Sequence, residues 1–98
     1  MDTYAIVRRR GWRTADELHE AADRSRAVGN EEMPDRVRWI RTYTLEEDDG
    51  TLGAVCIYEA TDLDAIREHS SRAQLPDPEI IPIDDTIVVR PDPEGVTV

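Results

Sequence analysis

The sequence predicts an α+β domain with the element order β-α-β-β-α-β. Three observations lead there. Two segments open on Thr or Asp caps and carry apolar residues at helical spacing. Four others are rich in β-branched and aromatic residues. One Asp49-Gly50 pair joins the middle two strand-like runs, which makes them a hairpin between the helices. At 98 residues the chain has room for one core and no second domain, so 1–90 reads as a single domain and 91–98 as a frayed tail.

The first strand covers 3–10 (TYAIVRRR), with Gly11 as the expected break. Thr14 stands three residues before Glu17. That is capping-box spacing: the hydroxyl accepts the Glu17 amide and the carboxylate returns to the cap amide. Ala15, Leu18, Ala21, Ala22, Ser25 and Val28 then share one helical face, and Gly29-Asn30 offers the left-handed stop.

Residues 36–46 (RVRWIRTYTLE) alternate, placing Val37, Trp39, Arg41, Tyr43 and Leu45 together. Residues 51–60 (TLGAVCIYEA) form the partner strand, with Ala54, Cys56 and Tyr58 in one row. Thr61-Asp62 caps the second helix, whose inner positions are Leu63, Ile66, His69, Ser70 and Ala73, and Pro76 forbids its continuation. The last strand is expected within 79–90, interrupted near Pro82 and Asp84-Asp85.

This is the ferredoxin-like split βαβ order, an antiparallel sheet with both helices on one face. The opposite face is left bare, and a second copy is the economical cover, giving a homodimer of the dimeric α+β barrel kind. Trp39, Tyr43 and the Ala54/Cys56/Tyr58 row are the candidates for that covered face.

Composition narrows the function. Twelve basic against twenty-two acidic residues leave a net charge of −10, which opposes nucleic acid and anionic membranes. All the basic residues are arginine; with no lysine, Schiff-base and P-loop lysine chemistry are excluded. One cysteine excludes an internal disulfide and multi-cysteine metal sites. The N-terminal MDTYAIV lacks a basic-then-apolar leader and no apolar run spans a bilayer, so the expectation is a soluble cytoplasmic protein.

Few side chains can carry chemistry. His19 shares a helical stripe with Asp16 and Asp23, which reads as a solvated acidic face or a weak surface metal contact. His69 points toward the sheet, either as a hydrogen-bonded core histidine or as a ligand or base. Cys56 is a small core filler or a soft ligand. Tyr43, Cys56 and Tyr58 could converge across the hairpin. With His69 they would suit nickel, zinc or copper, or a small carboxylate or phenol with Arg41 as counter-ion. Arg8, Arg9, Arg10 and Arg13 are split by strand alternation and read as local salt bridges or a dimer contact.

Trp39-Ile40-Arg41-Thr42-Tyr43, then Cys56-Ile57-Tyr58-Glu59-Ala60, then Ile66-Arg67-Glu68-His69 leading to Leu75-Pro76 occur in that order. The stretch 37–76 resembles a family of small bacterial ferredoxin-like proteins catalogued as a domain of unknown function, whose best-described relative is a nickel-binding dimer. Thr42 stands where that family usually has Ser, and the 46–53 hairpin is longer than its usual turn. The resemblance implies nickel or another divalent metal, with Tyr43, Cys56, Tyr58, Glu68 and His69 as the residues to watch. Three functions follow. The first is a divalent-metal-binding dimer using His69, Cys56 and Glu68. The second is a cofactor-free isomerase, cyclase or tailoring enzyme with His69 as acid or base beside Tyr43 and Tyr58. The third is a non-catalytic dimeric interaction module.

Overall fold

In a computed structural model, which describes residues 1–93, the chain folds as β1 (Asp2–Trp12), α1 (Ala15–Ala27), β2 (Val37–Glu46), β3 (Leu52–Ala60), α2 (Leu63–Arg72) and β4 (Glu79–Pro82). The sheet order is β2-β3-β1-β4 with every neighbouring pair antiparallel. Side chains of both helices, Ser25 and His69, meet the same strand residue, Tyr58, so both helices lie on one face. The α+β ferredoxin-like expectation holds.

The helix starts follow from their caps. Thr14 Oγ1 accepts from Glu17 N at 3.2 Å, and Asp62 Oδ1 accepts from Ala65 N at 2.8 Å. The Glu17 carboxylate, however, accepts from Arg13 N rather than from the Thr14 amide. Nor does Gly29-Asn30 end the helical path. The chain widens there into a π turn at Val28–Glu32, closed by Met33 N donating to Val28 O at 3.0 Å. Gly29 is buried beside Val37 and His69, which lie at ordinary contact distance from where a Cβ would sit.

Two bulges decide which face each side chain takes. β1 runs past Gly11 to Trp12 with a register shift after Arg8, where Arg10 takes φ 52°. In β2 the shift lies between Trp39 and Arg41. Ile40 is the extra residue, so the alternation reverses there. Trp39 and Thr42 face the helices with Tyr58 and Cys56, while Arg41 and Tyr43 pair with Ile57 and Val55 on the open face. The expected convergence of Tyr43 with Cys56 and Tyr58 is therefore broken by one residue. The Ala54/Cys56/Tyr58 row also lies under the helices and not on the bare face, since these three are buried in the core with Ile6 and Ile66. The open face carries Ala5, Val7, Val55 and Ile57, with Tyr43 and Ile81 at its margins.

The last strand is shorter than expected. β4 stops at Pro82, whose missing N–H ends regular pairing, and Ile83 adds one bond to Thr3 O. Ile87, Val88 and Val89 stay exposed beyond it, and Asp92 accepts from Arg41 and from the Tyr43 hydroxyl. The rest of the expected tail, 94–98, lies outside the described residues.

Candidate functional site

The helix-facing side of the sheet holds the polar groups that could do chemistry. Its rows run Thr42–Cys56–Ile6–Ile80 and Trp39–Tyr58–Tyr4, and the next row ends on Arg8 beside Ala54. Tyr58 stands at the centre. The Trp39 ring stacks on it at 6.0 Å with 6° between planes, and His69 lies tilted at 5.2 Å. Arg26 sits over the outer side of Trp39 at 5.5 Å.

Ser25 links two of these rings. Its hydroxyl lies 2.6 Å from Tyr58 Oη and 3.4 Å from His69 Nε2, and its carbonyl lies 3.1 Å from the same nitrogen. A carbonyl only accepts, so Nε2 carries the proton and donates to it. Burial drives the charge states. It lowers the His69 pKa, with Arg8 adding to the effect, and it raises those of the Cys56 thiol and the Tyr58 phenol. All three are neutral at neutral pH.

Arg8 is the residue that sequence reasoning missed. It is 2% exposed. Nε donates to Pro76 O at 3.0 Å, Nη2 donates to Ser70 Oγ, and Nη1 lies 3.9 Å from Cys56 Sγ. The sequence grouped it with Arg9 and Arg10, but those two turn out to Glu47 and Asp49 as expected for local pairs. The available signal was strand alternation, which sets Arg8 on the same face as Tyr4 and Ile6. Arg41, the expected counter-ion for a ligand here, is on the opposite face with Asp92.

A cavity of about 30 Å³ opens between α1 and this side of the sheet. Arg8, Cys56, Tyr58, Ser25, Trp12 and Trp39 are on its wall, together with apolar groups of α1. His69 is behind Tyr58 and Ser25, so its acid–base chemistry reaches the cavity only through them.

The three residues expected to hold metal are not brought together. Cys56 faces the Arg8 guanidinium, His69 Nε2 faces a carbonyl, and Glu68 is held by Arg36 at 2.8 Å and Arg72 at 2.6 Å. Among the described residues no three His, Cys, Asp or Glu side chains group as a metal site. Within one chain, this donor set does not fit a divalent metal.

Residues 4–83 match the family described as "Nickel responsive protein SCO4226-like". The chain belongs to that family. No curated protein matches it. Among solved structures it is similar to SCO4226 from Streptomyces coelicolor A3(2), at 21% identity and a TM-score of 0.67, over 87% of this chain and 99% of that one. At that identity the likeness concerns the fold. Among the described residues, no helix is long and apolar enough to cross a membrane.

Proposed function

We propose that this family member binds nickel as a homodimer, taking the metal through exposed donors on α1 centred on His19. The contrast between the two imidazoles carries this reading. His69 is 1% exposed and committed to Ser25, whereas His19 is exposed, with Asp16 three residues before it; Asp23, four residues after, is held by Arg26 at 3.1 Å. The Asp16–His19 spacing puts both on one helical stripe. An imidazole with a carboxylate suits a borderline cation such as nickel, and water completes the shell. The family's description and the net charge of −10 support a cation as the ligand.

The homodimer forms through the open sheet face. Ala5, Val7, Val55 and Ile57 make an apolar strip across the two central strands there, and the exposed Ile87, Val88 and Val89 lie on the segment that runs on from β4. Sedimentation should give twice the chain mass for the native protein and the chain mass for Ile57→Lys. A native monomer would remove this part of the proposal.

Metal is tested by nickel uptake of the untagged protein, measured by elemental mass spectrometry. Uptake should persist in His69→Gln and be lost in His19→Ala. The reverse pattern would return the metal to the buried set of His69, Cys56 and Glu68.

A further inference from the structure

We propose that the cavity between α1 and the sheet binds a small monocarboxylate, with Arg8 as its counter-ion and Trp12 and Trp39 against its apolar remainder. Nothing in the nickel proposal depends on this site, which lies under α1 rather than on its exposed stripe.

Arg8 is a buried charge with no anionic partner among the described residues. Removing a guanidinium from water is strongly unfavourable unless it is paired. Among the described residues, none of the ion pairs includes Arg8, and the ionisable groups that face it, Cys56 and Tyr58, are held neutral by burial. Its contacts are a carbonyl, a hydroxyl and a thiol, which supply dipoles but no negative charge. A guanidinium has five N–H donors in a planar fork. Here Nη1 has only a sulfur at 3.9 Å, a weak acceptor at the limit of contact. The chain as a whole carries ten net negative charges, and all eleven of its other arginines are in ion pairs or exposed to water. A buried cation with no anionic partner among the described residues marks, in such a chain, a place for an anion.

Size and lining set the class of anion. A cavity of about 30 Å³ has room for about two water molecules, which is the scale of a carboxylate head. A phosphate dianion would need more charge than one arginine supplies, and the neighbouring His69 is neutral. The remaining wall is apolar: Leu18, Ala22, Ala54 and Leu75, with the two half-buried tryptophans. That wall suits a carboxylate that carries only a one- or two-carbon aliphatic group.

Trp12 and Trp39 are the two tryptophans of the chain, and both are on the wall, so intrinsic emission reads the cavity directly. The test is titration of the full-length protein with formate, acetate and propionate in chloride-free buffer, followed by tryptophan emission and by calorimetry. Acetamide and propionamide serve as uncharged controls of the same shape. Saturable binding of an acid, with its amide at least about tenfold weaker, is expected. Arg8→Met should weaken the acid at least about tenfold and leave the amide unchanged. Because Arg8→Met removes a buried group and could fail to fold, Ala22→Leu provides a second variant: it fills the cavity wall, keeps the charge and should also abolish binding. No saturable response to any of the acids, an equal response to acid and amide, or full binding in Ala22→Leu would overturn the proposal.

Discussion

Trp39 and Tyr58 face each other across β2 and β3, and their rings lie parallel at 6.0 Å because the extra residue at Ile40 turns Trp39 toward the helices. Without that bulge the β2 alternation would put Trp39 and Tyr43 on one face, as simple counting along the strand suggests. The stack closes one side of the cavity and also carries the Arg26 contact.

Trp39→Ala therefore removes a large half-buried ring, a stacked pair and a cation–π contact together. Urea unfolding should show a loss of about 2–4 kcal/mol. Trp39→Phe keeps most of the burial and should lose less than half as much. Equal losses would show that the stack contributes nothing beyond filling space.

Three glycines should respond differently to alanine. A Cβ at Gly53 would meet Arg8 O at 2.7 Å and Glu47 Oε2 at 2.6 Å, so Gly53→Ala should cost about 1–3 kcal/mol. Gly50 has open space but φ 86°, which should cost Gly50→Ala about 1 kcal/mol. At Gly29 nothing comes closer than 3.7 Å and φ is ordinary, so Gly29→Ala should be neutral or slightly stabilising. Melting temperatures in the reverse order would contradict the close approach of Arg8 O and Glu47 to Gly53.

Acid should destabilise the fold in two steps. The His69 pKa is lowered from 6.5 by burial, so the unfolded chain binds this proton first. The stability it contributes is present above pH 6.5 and declines below it, by no more than about 1.4 kcal/mol per pH unit for one proton. Glu47 titrates lower. Hydrogen bonds from the Arg9 guanidinium hold its carboxyl at about 2 instead of 4.5. Its contribution is present above pH 4.5 and is lost as the pH falls toward 2. Thermal melts across pH should lose the first step in His69→Gln and the second in Glu47→Gln. An unchanged profile in either variant would show that the group does not govern that step.

Much of the fold was legible because its signals are local. Thr14, Asp62 and Asp49-Gly50 each act within four residues of themselves, and each does what its chemistry dictates. The bulge at Ile40 was not legible, because nothing in Trp-Ile-Arg-Thr distinguishes an inserted residue from a paired one. The assignment of faces was lost for a related reason. Both the Cys56/Tyr58 row and the Val55/Ile57 row are apolar, so alternation gives the period but not which side the helices cover. Arg8 was hidden by its neighbours: three consecutive arginines read as surface charge, although the strand period sends the first inward.

Site-resolved NMR distinguishes nickel taken by the exposed imidazole from nickel taken by the enclosed one. The chain has two histidines, and their ring signals can be followed separately during addition of paramagnetic nickel. His19 should broaden at low nickel while His69 is unaffected. Broadening of His69 ahead of His19, or of neither, would contradict nickel capture by His19.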